Sequence, residues 1–140
     1  MQTEETMLES GIKNQKTITV QEKDTAAAHG SGLLPVFATP ALIALMENTA
    51  MESVQPYLSE GEGTVGTRID VKHMAATAVG GEVTCESELV EVDRRRLVFA
   101  VRAADAHGTV VGEGTHERFI VNNEKFMAKL KQRRERGGGY

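Results

Sequence analysis

One stretch of this chain, VFATPALIALMENTAMESV at residues 36–54, has the composition of a long helix that is apolar on most of its surface. Its interior is rich in Ala, Leu and Met, which are good helix formers. Pro40 is favourable at the first helical position, and Thr39 just before it can cap the helix. We expect one helix from Pro40 to about Tyr57. Such a helix must be covered on several sides, which restricts the folds open to the chain.

The rest of the chain is patterned mainly as strands. Residues 12–21 alternate weakly, as an edge strand does, and a second strand is expected from near Thr64 to His73. Three more strands are expected in GEVTCESELVEVD, RLVFAVRAAD and TVVGEGTHERFIV. Residues 122–140 begin with an Asn cap and predict a short basic helix and tail. Because no repeat or linker divides the sequence, one domain over residues 1–140 is expected.

A single apolar helix amid four to five antiparallel strands is buried economically only when the sheet wraps around it. The pattern therefore predicts an α+β protein of the hot-dog arrangement, in which an antiparallel sheet covers one long central helix. The exposed edges of such a sheet carry unpaired backbone groups, which pairing with a second subunit satisfies. We expect a homodimer as the minimum assembly, with larger assemblies left open.

Glu47 lies within the predicted helix, on an apolar stripe. The residues three, four and seven positions away are Ile43, Ala44, Ala50, Met51 and Val54. An ionised carboxylate in such surroundings is costly unless it is paired or its pKa is raised. Glu47 is therefore a candidate for chemistry, with an ion pair in the core as the alternative.

His73 is the second candidate, at the end of the strand that begins near Thr64. Strict alternation places Ile69, Val71 and His73 on the inward face, and Gly66 on the other. With Thr39, these residues supply a hydroxyl, a carboxylate and an imidazole, the groups needed to activate water or a nucleophile. A buried His is also commonly a hydrogen-bonded core residue, and a Thr before Pro is commonly only a cap.

The segment from Lys23 to Ala38 is predicted to be a loop. It carries apolar residues, Leu33, Leu34 and Phe37 among them, in excess of what a solvated connection needs. It is expected to fold as a flap over a pocket, or to dock onto the core.

Composition excludes several classes of function. The formal charge of −4 and the absence of Trp argue against a nucleic-acid surface, which needs a basic face and stacking side chains. The first residues lack the features of a signal peptide, and the longest apolar run, ALIALM, is too short to cross a bilayer. We expect a cytoplasmic protein without a membrane role. The one cysteine, Cys85, fits a reducing compartment, and no Cys/His grouping predicts a metal site.

Several blocks of the chain resemble the fluoroacetyl-CoA thioesterase family of hot-dog proteins. They are VFATPALIALMENTA, YLSEGEGTVGTRIDVKHMAAT, VDRRRLVFAVRAAD, GEGTHERFIV and EKFMAKLKQ, within residues 35–132. The resemblance implies that Thr39, Glu47 and His73 act together on an acyl-CoA thioester, without a cofactor. It also implies that Gly66 lends its backbone N–H to the thioester end of the substrate, and that Arg118 binds substrate or pairs with a carboxylate.

Two questions stay open at this point. His116 shares strand parity with Arg118, so either His116 or His73 could face the pocket. Glu47 could be the general base that deprotonates water, or Glu47 or Thr39 could attack the thioester carbonyl.

The sequence departs from the family in the predicted flap, where the family uses phenylalanines and this chain has Leu33 and Leu34. The difference favours a general short-acyl or medium-acyl substrate over the fluorinated one. The expected function is hydrolysis of a small acyl-CoA. The alternative from another class is a non-catalytic module that binds acyl-CoA or a small ligand.

Overall fold

The computed structural model describes residues 8–136 of the chain. The strands are β1 (Lys13–Thr19), β2 (Glu62–His73), β3 (Glu82–Asp93), β4 (Arg96–Asp105) and β5 (Val110–Asn122). The helices are α1 (Ala26–His29), α2 (Thr39–Val54) and α3 (Asn123–Glu135), and short 3₁₀ turns span Glu22–Asp24 and Gln55–Tyr57. Residues 1–7 and residues 137–140, the end of the predicted tail, lie outside the described residues.

The five strands form one antiparallel sheet in the order β1-β3-β4-β5-β2, so β1 and β2 are its two edges. Helix α2 packs against this sheet, and the contact buries one face of the helix. The buried side chains of α2 are Leu42, Leu45, Met46, Thr49, Ala50, Ser53 and Val54. They meet the inward side chains of the strands, including Val83, Leu89, Leu97, Phe99 and Val111, to form the core. The core therefore lies on one face of the sheet, between α2 and the strands β3, β4 and β5.

The start of α2 differs from the expectation in one respect. Ala38, with an extended backbone, is the N-cap residue, and no side chain caps the helix. Thr39 is already the first helical residue, so the prediction that Thr39 caps α2 is wrong. The helix ends at Val54 and passes into a 3₁₀ turn through Tyr57, because Pro56 cannot donate the next helical hydrogen bond.

A β-bulge in β2 changes which residues face the helix. The pairing of β2 with β5 shifts register between Gly66 and Arg68, so Thr67 is the extra residue. A Cβ atom on Gly66 would lie 2.9 Å from Glu47 Oε2, which shows that Gly66 faces α2. The prediction from strict alternation, that Gly66 lies on the face opposite His73, is therefore wrong. The extra residue in the bulge moves the residues that precede it in β2 to the other face of the strand.

The predicted loop at residues 23–38 contains the short helix α1, which Thr25 caps by accepting a hydrogen bond from the Ala28 amide. Single bridges tie Thr25 to Phe37 and Val36 to Ala78. Phe37 is 2% exposed and docks on the core, whereas Leu33 and Leu34 are 94% and 65% exposed. Within one chain the two leucines are therefore exposed, whereas Phe37 docks on the core.

Helix α3 begins as predicted, with the Asn122 side chain accepting a hydrogen bond from the Lys125 amide. It buries no residue and lies against the end of β5, and the Asn123 amide donates to the Gly61 carbonyl at 2.9 Å. Among residues 8–136, no helix has both the length and the apolar character required to cross a membrane.

Candidate active site

Thr39 and His73 are joined by a hydrogen bond between Thr39 Oγ1 and His73 Nδ1, 2.8 Å long. The contact arises because the first residue of α2 lies over the last residue of β2. Since Ala38 occupies the cap position and makes no side-chain cap, the Thr39 hydroxyl is free to bind the imidazole. Thr39 is exposed, so a hydroxyl that contacts a base is also open to a ligand.

The surroundings of His73 keep its ring neutral. Burial lowers the pKa of His73, and the backbone of Ala75 partly opposes this shift. His73 Nε2 is buried and has no hydrogen-bond partner among the described residues. Phe37 packs against the ring with 6.3 Å between centroids and an interplanar angle of 79°. In the neutral tautomer protonated at Nε2, His73 Nδ1 accepts a hydrogen bond from the Thr39 hydroxyl, as a general base beside a nucleophile would; in the other neutral tautomer Nδ1 donates to Thr39 Oγ1.

Glu47 lies elsewhere in the same chain. It is eight residues after Thr39 on α2, which is about 12 Å along a helix. Its carboxylate is half-buried and faces Gly66, where a Cβ atom would meet Glu47 Oε2 at 2.9 Å, His116 Cε1 at 3.3 Å and Arg118 Nη1 at 3.4 Å. The structure thus places the predicted residues in two groups. We call Thr39 and His73 the threonine group, and Glu47, Gly66, His116 and Arg118 the glutamate group.

Arg118 is buried, with 8% of its surface exposed, whereas an isolated arginine on a strand is ordinarily solvated. Its Nε donates to Thr64 Oγ1 at 2.7 Å, Nη2 donates to the Thr64 carbonyl at 2.9 Å, and Nη1 donates to His116 Nε2 at 3.1 Å. Burial lowers the pKa of Arg118, and the nearby charge of Glu47 opposes that shift. The fixed guanidinium therefore gives the glutamate group a positive charge in a partly dry setting.

His116 is 1% exposed and stacks on Phe99, with ring centroids 6.2 Å apart. Its Nδ1 lies 2.8 Å from the Arg68 carbonyl. Burial is the largest of the influences that lower the pKa of His116. The prediction that His116 and Arg118 lie on the same face of β5 is confirmed. The partners of the two histidines differ, since His73 contacts Thr39 and His116 contacts Arg118.

Sequence reasoning missed Thr64, which accepts two of the three hydrogen bonds from Arg118. It also gave no role to Thr67, the bulge residue, whose hydroxyl donates to the Glu117 carbonyl at 3.2 Å. Both depend on the register between β2 and β5, strands about 50 residues apart in the chain, and no local signal predicts that register.

An open groove of about 760 Å³ lies on the sheet face away from α2. It is lined by charged residues such as Lys13, Glu86, Arg102 and Glu113, and by none of the predicted site residues. Among residues 8–136, no group of three or more His, Cys, Asp or Glu side chains is placed to hold a metal ion.

Comparison with known proteins shows the family of the chain. A family model described as "fluoroacetyl-CoA-specific thioesterase" (FlK) matches residues 20–124. The chain belongs to this family. The fluoroacetyl-CoA thioesterase of Streptantibioticus cattleyicolor is 45% identical over 102 residues, which is 73% of each chain. The resemblance predicted from the sequence blocks is thereby confirmed.

Solved structures extend the match to most of the fold. A structure of the fluoroacetyl-CoA thioesterase FlK superposes with a TM-score of 0.84 at 37% identity, covering 90% of this chain and 97% of that one. A hot-dog-like protein from Thermanaerovibrio acidaminovorans superposes over the full length of both chains, with a TM-score of 0.83 at 28% identity. The predicted hot-dog fold is confirmed.

Proposed function

We propose that this member of the fluoroacetyl-CoA-specific thioesterase family hydrolyses a small acyl-CoA to the free acid and CoA. The observation that carries the proposal is the 2.8 Å contact of Thr39 Oγ1 with His73 Nδ1, which pairs an exposed hydroxyl with a neutral base. Structures of FlK include one in complex with acetyl-CoA and one with fluoroacetate and CoA. Substrates of the same class are expected for this chain.

The chemistry requires a new carbon–oxygen bond, loss of the carbon–sulfur bond and a proton for the leaving thiolate. We assign His73 the transfer of a proton from Thr39, or from a water bound to Thr39, to the sulfur as CoA leaves. When Thr39 itself attacks, an acyl ester forms on Oγ1. A water that Glu47 deprotonates as general base then attacks this ester and releases the acid, and the proton returns to Thr39 Oγ1. Arg118 and Gly66 supply positive charge and an N–H where the carbonyl oxygen becomes negative. This scheme needs water and no cofactor.

Because about 12 Å of helix separates Thr39 from Glu47, we propose that the two groups act on one thioester across the interface of a homodimer. Strand β2 is an edge of the sheet, with β5 on its one paired side. A second copy can pair antiparallel with β2 around Ile69. That register sets Arg68 of each copy opposite Asp70 of the other, which pairs opposite charges twice.

The same register brings the two groups together. His73 of one copy would lie opposite the Gly66 end of β2 in the second copy. The threonine group of one chain would then face the glutamate group of the other, so the dimer would hold two complete sites. Leu33 and Leu34, exposed in the single chain, could cover the acyl group in that assembly. Because Leu33 and Leu34 stand where the resemblance implies phenylalanines, we propose general short-chain or medium-chain acyl groups rather than fluoroacetyl as the preferred substrates.

The test is free-thiol release from acetyl-, fluoroacetyl-, butyryl- and phenylacetyl-CoA by the wild type and by Thr39→Ala, Glu47→Gln and His73→Ala. Matched controls are Glu52→Gln, which changes a carboxylate on the same helix that instead pairs with Lys16, and His107→Ala in an exposed turn. Turnover that falls in the three variants and persists in both controls supports the proposal. Wild-type protein that binds acyl-CoA esters without hydrolysing any of them would identify a binding module instead.

A further inference from the structure

We propose that His116 is a positioning residue: it acts as a neutral hydrogen-bond acceptor that fixes the Arg118 guanidinium beside Glu47 and Gly66. The inference rests on the proposed function, since it assigns a role within the glutamate group. His116 itself is buried and is not available to substrate from within this chain.

The hydrogen-bond partners determine the protonation of His116. A carbonyl oxygen can only accept, so Nδ1, 2.8 Å from the Arg68 carbonyl, must carry a proton. A guanidinium can only donate, so Nε2, 3.1 Å from Arg118 Nη1, must be without one. Only the neutral imidazole protonated at Nδ1 satisfies both contacts. A protonated ring would lose the Arg118 contact and place two cations together.

The arrangement leaves Arg118 with little freedom. Thr64 takes the Nε and Nη2 donors and His116 takes one donor of Nη1, so both ends of the guanidinium are bound. Nη1, the atom that His116 holds, is also the arginine atom nearest Gly66, 3.4 Å from the position of a Cβ there. The histidine therefore sets the position of the guanidinium nitrogen that lies nearest Gly66, on the side where a Gly66 Cβ atom would also meet Glu47 Oε2.

Several elements contribute charged or polar groups near the His116 ring. Glu47 lies on α2, Arg118 and Glu117 on β5, and the Arg68 carbonyl on β2, while Phe99 on β4 covers the ring face. Glu117 is already paired with Arg96 and Arg68 on the outer side of the sheet. Arg118 is therefore the charge whose position depends most directly on His116.

Two substitutions separate the two contacts. Asn at position 116 can place its amide nitrogen where Nδ1 lies and so keep the bond to Arg68, but it has no acceptor at the Nε2 position. Gln can place its amide oxygen near Nε2 and so keep the acceptor for Arg118. We expect His116→Asn to lower kcat/KM for acetyl-CoA about tenfold or more, the size of one hydrogen bond to a charged group, and His116→Gln to retain most activity.

A double-mutant cycle tests the coupling. In an Arg118→Gln background, His116→Asn should cause less than about a twofold further loss, because the group that it positions is gone. Losses that multiply would overturn the proposal, as would equal losses in His116→Asn and His116→Gln. Thermal melts of each variant show whether the protein is folded.

The final measurement does not depend on turnover. Nitrogen-15 NMR of imidazole-labelled wild-type protein at pH 7 should show His116 as the neutral ring protonated at Nδ1. A ring protonated at Nε2, or an imidazolium, would overturn the inference even in an active enzyme. If the NMR spectrum shows the expected tautomer but the protein hydrolyses no acyl-CoA, the His116–Arg118 contact is supported and only the proposed function is contradicted.

Discussion

Thr39 Oγ1 and His73 Nδ1 lie 2.8 Å apart, although 34 residues separate them in the chain. The contact joins the first residue of α2 to the last residue of β2. It exists because Ala38 serves as the N-cap without any side-chain cap, which leaves the threonine hydroxyl for the imidazole. A residue type that ordinarily stabilises a helix end is here placed against a base.

The first prediction concerns this hydroxyl. Thr39→Ala should lower kcat on acetyl-CoA by about 10²- to 10⁴-fold, the usual contribution of a positioned proton-transfer group. Thr39→Ser keeps the hydroxyl and should retain a large part of the activity. Because Thr39 makes no cap hydrogen bond, Thr39→Ala should change the melting temperature little. Stopped-flow thiol release and thermal melts measure the two effects.

Thr109→Ala is the matched control, since Thr109 lies just before β5 and only its backbone contacts Asp105. It should retain wild-type kcat. Equal activity of Thr39→Ala and wild type would exclude any role of the hydroxyl in the chemistry.

The second prediction concerns the space above Gly66. Gly66→Ala introduces a Cβ atom 2.9 Å from Glu47 Oε2 and 3.4 Å from Arg118 Nη1, so the carboxylate must move. We expect kcat/KM to fall at least about tenfold with a small loss of stability, since the groups displaced are side-chain ends. Steady-state kinetics and a melt of the purified variant provide the test.

Gly63→Ala is its control on the same strand. There the new Cβ atom would lie 2.9 Å from Asn123 Oδ1, an exposed side chain at the start of α3. The contact distance is the same but the neighbour differs, so activity should be preserved. Comparable losses in both variants would mean that any crowding of β2 impairs the protein.

The third prediction tests whether one site draws on two chains. Thr39→Ala and Glu47→Gln variants should each be inactive alone. When they are co-expressed, half of the dimers are mixed, and each mixed dimer has one intact site of two. Activity should therefore return to about a quarter of the wild-type value.

The control for this experiment mixes Thr39→Ala with His73→Ala. Both changes lie in the threonine group, so no mixed dimer regains a complete site and no activity should return. Recovery in neither mixture, with dimers verified by ultracentrifugation, would place the complete site in one chain.

The fourth prediction concerns stability and pH. Burial lowers the pKa of both His116 and His73 in the folded protein, so the unfolded chain binds more protons below the ordinary histidine pKa of about 6.5. The free energy of unfolding should be at its full value above that pH and should fall as the pH drops through about 6.5 toward 5. Urea denaturation at a series of pH values measures this slope.

In His116→Gln the slope between pH 6.5 and about 5 should be smaller, because one of the two buried histidines is gone. Arg95 lowers the pKa of Glu62, so the contribution of Glu62 to the free energy of unfolding is lost only at more acidic pH. It therefore does not affect the slope in this pH range. A slope unchanged by the substitution would mean that His116 is not kept neutral by folding.

Much of the fold could be predicted because its signals are local. The apolar stretch at residues 36–54, the alternation of five strands and the Asn122 cap each depend on residues within a few positions of one another. The candidate residues Thr39, Glu47 and His73 could be named for the same reason, since each is a polar residue within a local sequence pattern that is mostly apolar. Their grouping could not be named, because it depends on which strand pairs with which and in what register.

The sequence by itself determined the five strands, helices α2 and α3, the family and the identity of the polar groups placed among apolar ones. Tertiary structure alone decided that the Thr67 bulge turns Gly66 toward Glu47, that His116 binds Arg118 while His73 binds Thr39, and that two groups form rather than one. The physical reason is that helical and strand periods are set by each residue and its neighbours. Register, bulges and hydrogen bonds between distant strands are set by the packing of the whole chain.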